Sequence, residues 1–320
     1  MSDQTRDHGG NLDWAKTRYG GSDWIDLSTG INRVPYPVPA LSAAAFGALP
    51  TKAAMTQVLA AASQAYGTSA PMVALAGAQA AIQMVPLLRS AGLARVVSPT
   101  YNEHAATLRV CGWRVEEVAG LEGLAGADLA IVVNPNNPDG RHWPRVDLLA
   151  LLGKVGLLVV DESFADPLPC ESVAADAGRE GLLVLRSFGK FYGLAGLRLG
   201  FALGSEADVA RLADLAGPWP VSGPALEVGI TALADRDWAL ETRARLIGEA
   251  VRLDDICVKF GWQVLGGTPL FRLYETPDAQ AAQNLLARAG LWSRIFPYSK
   301  SWIRLGLPGG EAEWARISAL

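Results

Sequence analysis

The chain has 320 residues, half of them hydrophobic and 19% charged, which is enough apolar sequence for a large domain with a smaller partner domain. A net charge of −4 predicts no basic surface for nucleic acid, and the longest apolar runs are too short to cross a membrane. Three widely spaced cysteines suggest neither disulfides nor a metal site, and the polar N-terminus does not resemble a signal peptide. We therefore expect a cytoplasmic protein that binds no metal.

Short strands alternate with helices through the first two thirds of the chain. This alternation predicts an α/β fold with a mostly parallel sheet that is covered on both faces. Ligands of such sheets bind in loops beyond the carboxyl ends of the strands. The predicted elements are strands at 95–98, 114–118, 129–133, 157–160 and 182–187, and helices at 78–88, 103–110 and 146–152.

The pattern changes after residue 220 to that of a smaller α+β domain. A long helix is predicted at 236–260, and a Gly-Pro-Trp-Pro stretch before it is a plausible hinge. We expect an N-terminal segment (1–40) that joins the small domain and the active site, a large domain (41–217) and a small domain (218–320). The other elements predicted here are strands at 263–265, 270–274, 291–295 and 302–305 and a helix at 279–289.

Lys190 lies in a glycine-rich, aromatic and almost uncharged segment, residues 187–200. Burying an ammonium group is costly, but a desolvated lysine loses its proton and can form a Schiff base with an aldehyde. Ser187 and Arg198 in the same segment are natural ligands for a phosphate. These features suggest pyridoxal phosphate (PLP), which carries both groups. The segment alone is equally compatible with a lysine on an ordinary glycine-rich turn.

Four other segments resemble motifs of the fold-type I PLP enzymes, the aminotransferase superfamily. Residues 134–140 (NPNNPDG) resemble its Asn-Pro-x-Gly turn, and 161–164 (DESF) resemble its strand-end aspartate motif. Residues 77–79 (GAQ) resemble its phosphate cup, and 99–101 (PTY) its loop with a ring-stacking aromatic residue. Each motif is weak alone and could be an ordinary turn, cap or core residue. Their order and spacing together indicate the family over nearly the whole chain.

The resemblance implies a role for each side chain around the cofactor ring. Lys190 would carry the cofactor, and Asp161 would keep the pyridine nitrogen protonated. Asn137 would donate to the phenolic oxygen, and Tyr101 would stack on the ring. Phe164 stands where the family usually has a tyrosine, which removes one hydrogen bond to that oxygen.

The resemblance also implies a cradle for the cofactor phosphate. The start of a helix at Gly77, Ala78 and Gln79 would offer free backbone N–H groups. Ser187 and Arg198 would complete the cradle from the lysine segment.

The ends of the chain point further within the superfamily. Residues 8–11 (HGGN) and 28–32 (STGIN) resemble the N-terminal segment of threonine-phosphate decarboxylases of cobalamin biosynthesis. Two departures are Arg33, where the relatives usually have a proline, and Leu-Pro-Thr at 49–51, where they often have Tyr-Pro-Asp. The second departure leaves open whether a residue of another subunit completes the site. The substrate-binding residues that the resemblance implies are His8, Gly9, Asn32, Arg294 and Arg304.

Two arginines suit a small phosphorylated amino acid with a carboxylate and a phosphate. The resemblance implies decarboxylation of L-threonine O-3-phosphate to (R)-1-amino-2-propanol O-2-phosphate by a homodimer. The alternatives are histidinol-phosphate or another amino-acid aminotransferase and, in another class, a non-catalytic PLP-fold binding or regulatory protein. The PLP machinery alone does not distinguish decarboxylation from transamination.

Overall fold

The computed structural model describes residues 8–320, so the first seven residues of the predicted N-terminal segment lie outside the described residues. The helices are α1 Leu12–Tyr19, α2 Ala43–Gly47, α3 Lys52–Tyr66, α4 Ala78–Met84, α5 Glu103–Val110, α6 Arg145–Leu149, α7 Phe188–Phe191, α8 Glu206–Ala216, α9 Gly223–Ala234, α10 Arg236–Lys259, α11 Ala279–Arg288 and α12 Glu311–Ser318. The strands are β1 Ile25–Asp26, β2 Met72–Leu75, β3 Leu93–Val97, β4 Arg114–Val118, β5 Leu129–Val133, β6 Leu157–Asp161, β7 Leu182–Ser187, β8 Gly200–Leu203, β9 Gln263–Thr268, β10 Phe271–Glu275, β11 Leu291–Trp292, β12 Arg294–Phe296 and β13 Ser299–Gly306.

A seven-stranded sheet forms the centre of the large domain, in the order β2-β8-β7-β6-β5-β3-β4. The run from β7 through β6, β5 and β3 to β4 is parallel, and β8 is antiparallel to both of its neighbours. Both faces of the central strands are buried. On β6, for example, Leu158 and Val160 belong to one core cluster, and Leu157 and Val159 belong to the other. The predicted α/β fold with a mostly parallel sheet is confirmed.

The small domain is built on a four-stranded antiparallel sheet in the order β12-β13-β10-β9. The N-terminal segment joins this part of the chain, because β1 pairs in parallel with β11. Aromatic contacts reinforce the joint: Trp14 lies 5.5 Å from Trp292 between ring centroids, and Tyr19 lies 6.2 Å from the same ring. The part of the segment around β1 is therefore attached to the chain at β11.

The helix α9 lies beyond the predicted hinge but packs against α3 of the large domain. The 24-residue helix α10 then leads to the small sheet. The boundary at residue 217 stays a prediction. Within residues 8–320, none of the helices combines the length and the apolar character needed to cross a membrane, and no group of three or more potential metal ligands was found in the same range.

Candidate active site

A cavity of about 1060 Å³ lies where the N-terminal segment, the large domain and the small domain meet. Its lining includes residues that follow β3, β5, β6 and β7 and three residues from β12 and β13. Eight of the predicted site residues line it together: His8, Gly9, Tyr101, Asn137, Phe164, Lys190, Arg294 and Arg304. These eight residues, from distant parts of the chain, thus meet at one cavity. The other predicted site residues are not in its described lining: Asn32, Gly77, Ala78, Gln79, Asp161, Ser187 and Arg198.

Lys190 projects from the short helix α7, which directly follows β7. The helix is fixed because Phe188 and Phe191 on either side are fully buried. The Lys190 Nζ lies 5.6 Å from the centre of the Phe164 ring. Burial, reinforced by the charge of Arg304 and opposed by that of Asp161, lowers the pKa of Lys190 to about 8. A far larger share of this amine is neutral near pH 7 than for an ordinary lysine.

Asp161 ends β6 and is only 2% exposed. One carboxylate oxygen lies 2.8 Å from His104 Nε2, and the other accepts from the Ser163 backbone N–H at 3.0 Å and from the Ser163 hydroxyl at 2.5 Å. Burial alone would raise the pKa of Asp161, but the contacts with His104 and Ser163 outweigh it and lower the pKa. Asp161 is therefore held as a carboxylate.

The sequence reasoning missed His104 and Ser163. His104 is the second residue of the predicted helix 103–110, and nothing local in the sequence links it to Asp161. The signal for Ser163 was its position two residues after Asp161, the spacing at which a serine bonds back to an aspartate at a strand end.

Gly77 precedes α4 with φ +82° and ψ 162°, a conformation that is essentially reserved for glycine. A Cβ on Gly77 would lie 2.7 Å from a terminal nitrogen of Arg198, so the guanidinium packs directly on the glycine. Gly200 has a similar constraint, because its Cβ would lie 2.4 Å from the Ala78 backbone nitrogen. Arg198 and the start of α4 therefore lie in close contact, as the predicted phosphate cradle requires.

Ser187, the fourth member of the predicted cradle, ends β7 at the N-cap position of α7 but makes no capping hydrogen bond with its side chain. Gln79 is in the first turn of α4, and its side-chain oxygen accepts from the Tyr101 hydroxyl at 3.1 Å. Burial, with smaller effects of nearby carboxylates, raises the pKa of Tyr101 to about 12. Tyr101 is thus a neutral phenol that is fixed by Gln79 at the edge of the cavity.

Arg304 on β13 is 5% exposed and holds two parts of the site together. It donates to the Asn137 side-chain oxygen and, at 2.7 Å, to the Ser28 backbone carbonyl. Since the Asn137 oxygen is engaged, its amide nitrogen is the group left to donate to a cofactor oxygen. Arg294 is the residue opposite Arg304 in the antiparallel β12-β13 pair, and both line the cavity. Two cations therefore occupy adjacent strands of one wall.

Asn32, which is predicted to bind substrate, makes its described side-chain contacts with protein groups near Lys190. Its side-chain nitrogen donates to the Phe191 carbonyl at 2.9 Å, and its side-chain oxygen accepts from Arg245 at 2.9 Å. Its backbone N–H donates to the Lys190 carbonyl at 2.9 Å. Asn32 is absent from the cavity lining. In the structure, Asn32 stabilises the segment that carries Lys190. An asparagine in a loop gives no sequence signal that distinguishes this structural role from substrate binding.

The residues present fit PLP. PLP offers three groups to a protein: an aldehyde, a pyridine nitrogen and a phosphate. Lys190, with its lowered pKa, suits the aldehyde, and the ionised Asp161 suits the pyridine nitrogen. Arg198, packed on the glycine that starts α4, suits the phosphate. The observation behind this fit is the close contact between Gly77 and Arg198. Any side chain at residue 77 would occupy the space of the predicted phosphate cradle.

The chain belongs to the aminotransferase class I and II family, whose model matches residues 50–317. Among its relatives is the threonine-phosphate decarboxylase of Pseudomonas aeruginosa, which is 44% identical over 98% of this chain and 96% of that protein. The threonine-phosphate decarboxylase of a Sinorhizobium species is 41% identical over 97% of this chain and 96% of that protein.

Solved structures share the fold. The histidinol-phosphate aminotransferase of Sinorhizobium meliloti, crystallised in complex with pyridoxal-5'-phosphate, superposes with a TM-score of 0.79 at 20% identity and covers 99% of this chain and 94% of its own. The L-threonine-O-3-phosphate decarboxylase of Porphyromonas gingivalis superposes with a TM-score of 0.74 at 20% identity, covering 92% of this chain and 97% of its own.

Proposed function

We propose that the protein is a PLP-dependent decarboxylase that converts L-threonine O-3-phosphate into 1-amino-2-propanol O-2-phosphate, a reaction of cobalamin biosynthesis. The observation that carries the proposal is the similarity of nearly the whole chain to threonine-phosphate decarboxylases at 44% and 41% identity. The wall formed by Arg294 and Arg304 supports it, because the substrate carries two anionic groups.

Lys190 would hold the cofactor aldehyde, Asp161 the ring nitrogen and Asn137 the ring's phenolic oxygen. Gly77 and Arg198 would lie at the phosphate. When bound, PLP supplies an electron-accepting ring that stabilises negative charge on the substrate's α-carbon.

Ser187, Ala78 and Gln79 would complete the phosphate site through a hydroxyl and helix-starting N–H groups, while Tyr101 and Phe164 would contact the ring. The protein's own groups do the remaining work.

Arg294 and Arg304 would bind the two anionic groups of the substrate and so fix which bond of the α-carbon points away from the ring plane. His8 and Gly9 would close the cavity from the N-terminal segment. Lys190, in its ammonium form, would donate a proton to the α-carbon after carbon dioxide has left and would itself become the neutral amine. The choice of reaction thus rests with substrate orientation.

Incubation of the purified protein with PLP and L-threonine O-3-phosphate tests the proposal by product analysis. Unphosphorylated threonine should be a poor substrate, since it lacks the phosphate that one of the two arginines would bind. Arg294→Ala or Arg304→Ala should each lower kcat/KM at least tenfold, about 1.4 kcal/mol. If no amino acid were turned over, the proposal would be rejected in favour of a non-catalytic PLP-fold binding or regulatory protein.

A further inference from the structure

Glu103, the first residue of α5, is nearly buried, with 6% of its surface exposed. One carboxylate oxygen lies 3.1 Å from the His8 Nε2, and the other accepts from the Gln79 side-chain nitrogen at 3.2 Å. Gln79 in turn accepts from the Tyr101 hydroxyl. His8 and Tyr101 line the cavity, whereas Glu103 is not among the described residues that do so. Glu103 therefore acts on the cavity through neighbouring side chains.

The chain around His8 is also anchored on its other side. The Gly10 backbone N–H donates to the Ser28 hydroxyl at 2.7 Å, and that hydroxyl donates to Asp26 at 2.6 Å. A Cβ on Gly9 would lie 2.5 Å from the Ser28 carbonyl oxygen, so this approach requires glycine. These anchors lie within the N-terminal segment, whereas Glu103 begins α5. The His8–Glu103 contact thus joins the start of the described segment to α5 beside the cavity.

The contact also bears on the position of the imidazole. The His8 Nε2 lies within ion-pair distance of the Glu103 carboxylate, so Nδ1 is the ring atom left for an oxygen of a bound molecule. The ring packs beside Tyr101, with 6.1 Å between the ring centroids, which limits its rotation. A donor that is oriented before binding spares the substrate the entropy cost of ordering it.

We propose that Glu103 is a positioning residue that holds the His8 imidazole toward the cavity for the phosphate of the substrate. The inference rests on the proposed function, since that substrate supplies the phosphate. A purely structural role for Glu103, such as stabilising the first turn of α5 through the helix dipole, would lower stability without acting through His8.

A double-mutant cycle tests the inference on the PLP-loaded enzyme. Glu103→Gln and His8→Gln should each raise KM for L-threonine O-3-phosphate about tenfold and change kcat less than about threefold. In the His8→Gln background, Glu103→Gln should add no more than about a twofold effect, because the proposed route runs through His8 and is already broken. A larger remaining effect would place the action of Glu103 on Gln79 and Tyr101 instead and would overturn the proposal. Independent effects that multiply to about a hundredfold, or a fall in kcat alone, would overturn the proposal.

Glu116→Gln is the matched control, since Glu116 is a carboxylate on β4 that pairs with Arg95 at 2.9 Å away from the cavity lining. It should leave both kinetic constants unchanged. Hydrogen exchange adds a readout that needs no turnover: the backbone amides of residues 9–14 should exchange faster in Glu103→Gln and not in Glu116→Gln. Unchanged exchange would contradict the contact itself. If the unaltered enzyme released no carbon dioxide, the proposed function would be rejected. The hydrogen-exchange measurement would still show whether His8 and Glu103 are in contact.

Discussion

Lys190 combines a cavity position with a lowered pKa, and both follow from its surroundings. Desolvation on the α7 segment and the positive charges of Arg304 and Arg198 all favour the neutral amine. Asp161 and Asp26 oppose them, which leaves the pKa of Lys190 at about 8. The neutral amine is the form that attacks an aldehyde.

Capture of PLP by the cofactor-free protein should therefore accelerate as the pH rises through about 8. The sign follows from the lowered pKa: the ammonium dominates below it and the nucleophilic amine above it. Stopped-flow absorbance at a series of pH values measures this. Borohydride reduction followed by peptide mapping should place the label on Lys190. A rate that keeps rising above pH 10, as for an ordinary lysine, or a label on Lys154 or Lys259, would contradict the assignment.

Single residues show how far the sequence could predict this site. Asp161 ends β6 and Lys190 follows the end of the neighbouring parallel strand β7, so the sheet topology brings the two residues to the same edge. Asn32 could not be placed in the same way, since its side-chain partners are Phe191 and Arg245, far away in sequence. His104 was missed because its partner, Asp161, is 57 residues away and buried with it.

At the scale of elements, Gly77 at the start of α4 lets the backbone approach the Arg198 guanidinium closely.

Gly77→Ala should weaken PLP binding at least tenfold. Alanine is disfavoured at a φ of +82°, and its Cβ would displace the Arg198 guanidinium. Gly196→Ala is the control: its Cβ would meet nothing within 4 Å, and its φ is not positive. Equilibrium titration of PLP with each variant measures the difference. Equal affinities would argue against a phosphate cradle at Gly77.

The elements predicted correctly from the sequence are those whose own residues are enough to specify a strand or a helix. The predicted strands 114–118, 129–133 and 182–187 agree with β4, β5 and β7. The strands β2 and β8 were not predicted, because each is a four-residue run whose structure depends on pairing with distant partners. The predicted helix 78–88 ends as an α-helix at Met84, where Pro86 forces a 3₁₀ turn.

At the scale of the whole molecule, several features of the single chain suggest a partner copy. Phe46 and Leu49 are 72% and 64% exposed, and α2, which contains Phe46, packs on α9. Arg198 is exposed although its proposed role at the phosphate calls for a protected site. A second subunit that covers these residues would account for both observations.

We therefore predict that the enzyme is a homodimer with the site near the subunit boundary. Sedimentation equilibrium of the PLP-loaded protein at assay concentrations should give twice the mass of 33.8 kDa. Detection of a fully active monomer alone would contradict this prediction. The prediction concerns assembly alone, because residues 49–51 (LPT) lack the tyrosine that the resemblance leads us to expect at a site shared between subunits.

The fate of the substrate's carboxylate tests the central claim most directly. With purified enzyme, PLP and L-threonine O-3-phosphate labelled at the carboxylate carbon, carbon dioxide and the amino product can be measured in one sample, with and without 2-oxoglutarate. The account predicts carbon dioxide and 1-amino-2-propanol O-2-phosphate in equal amounts, with no need for a 2-oxo acid. Transfer of the amino group to 2-oxoglutarate, with the label retained in the product, would contradict the decarboxylase and support an aminotransferase.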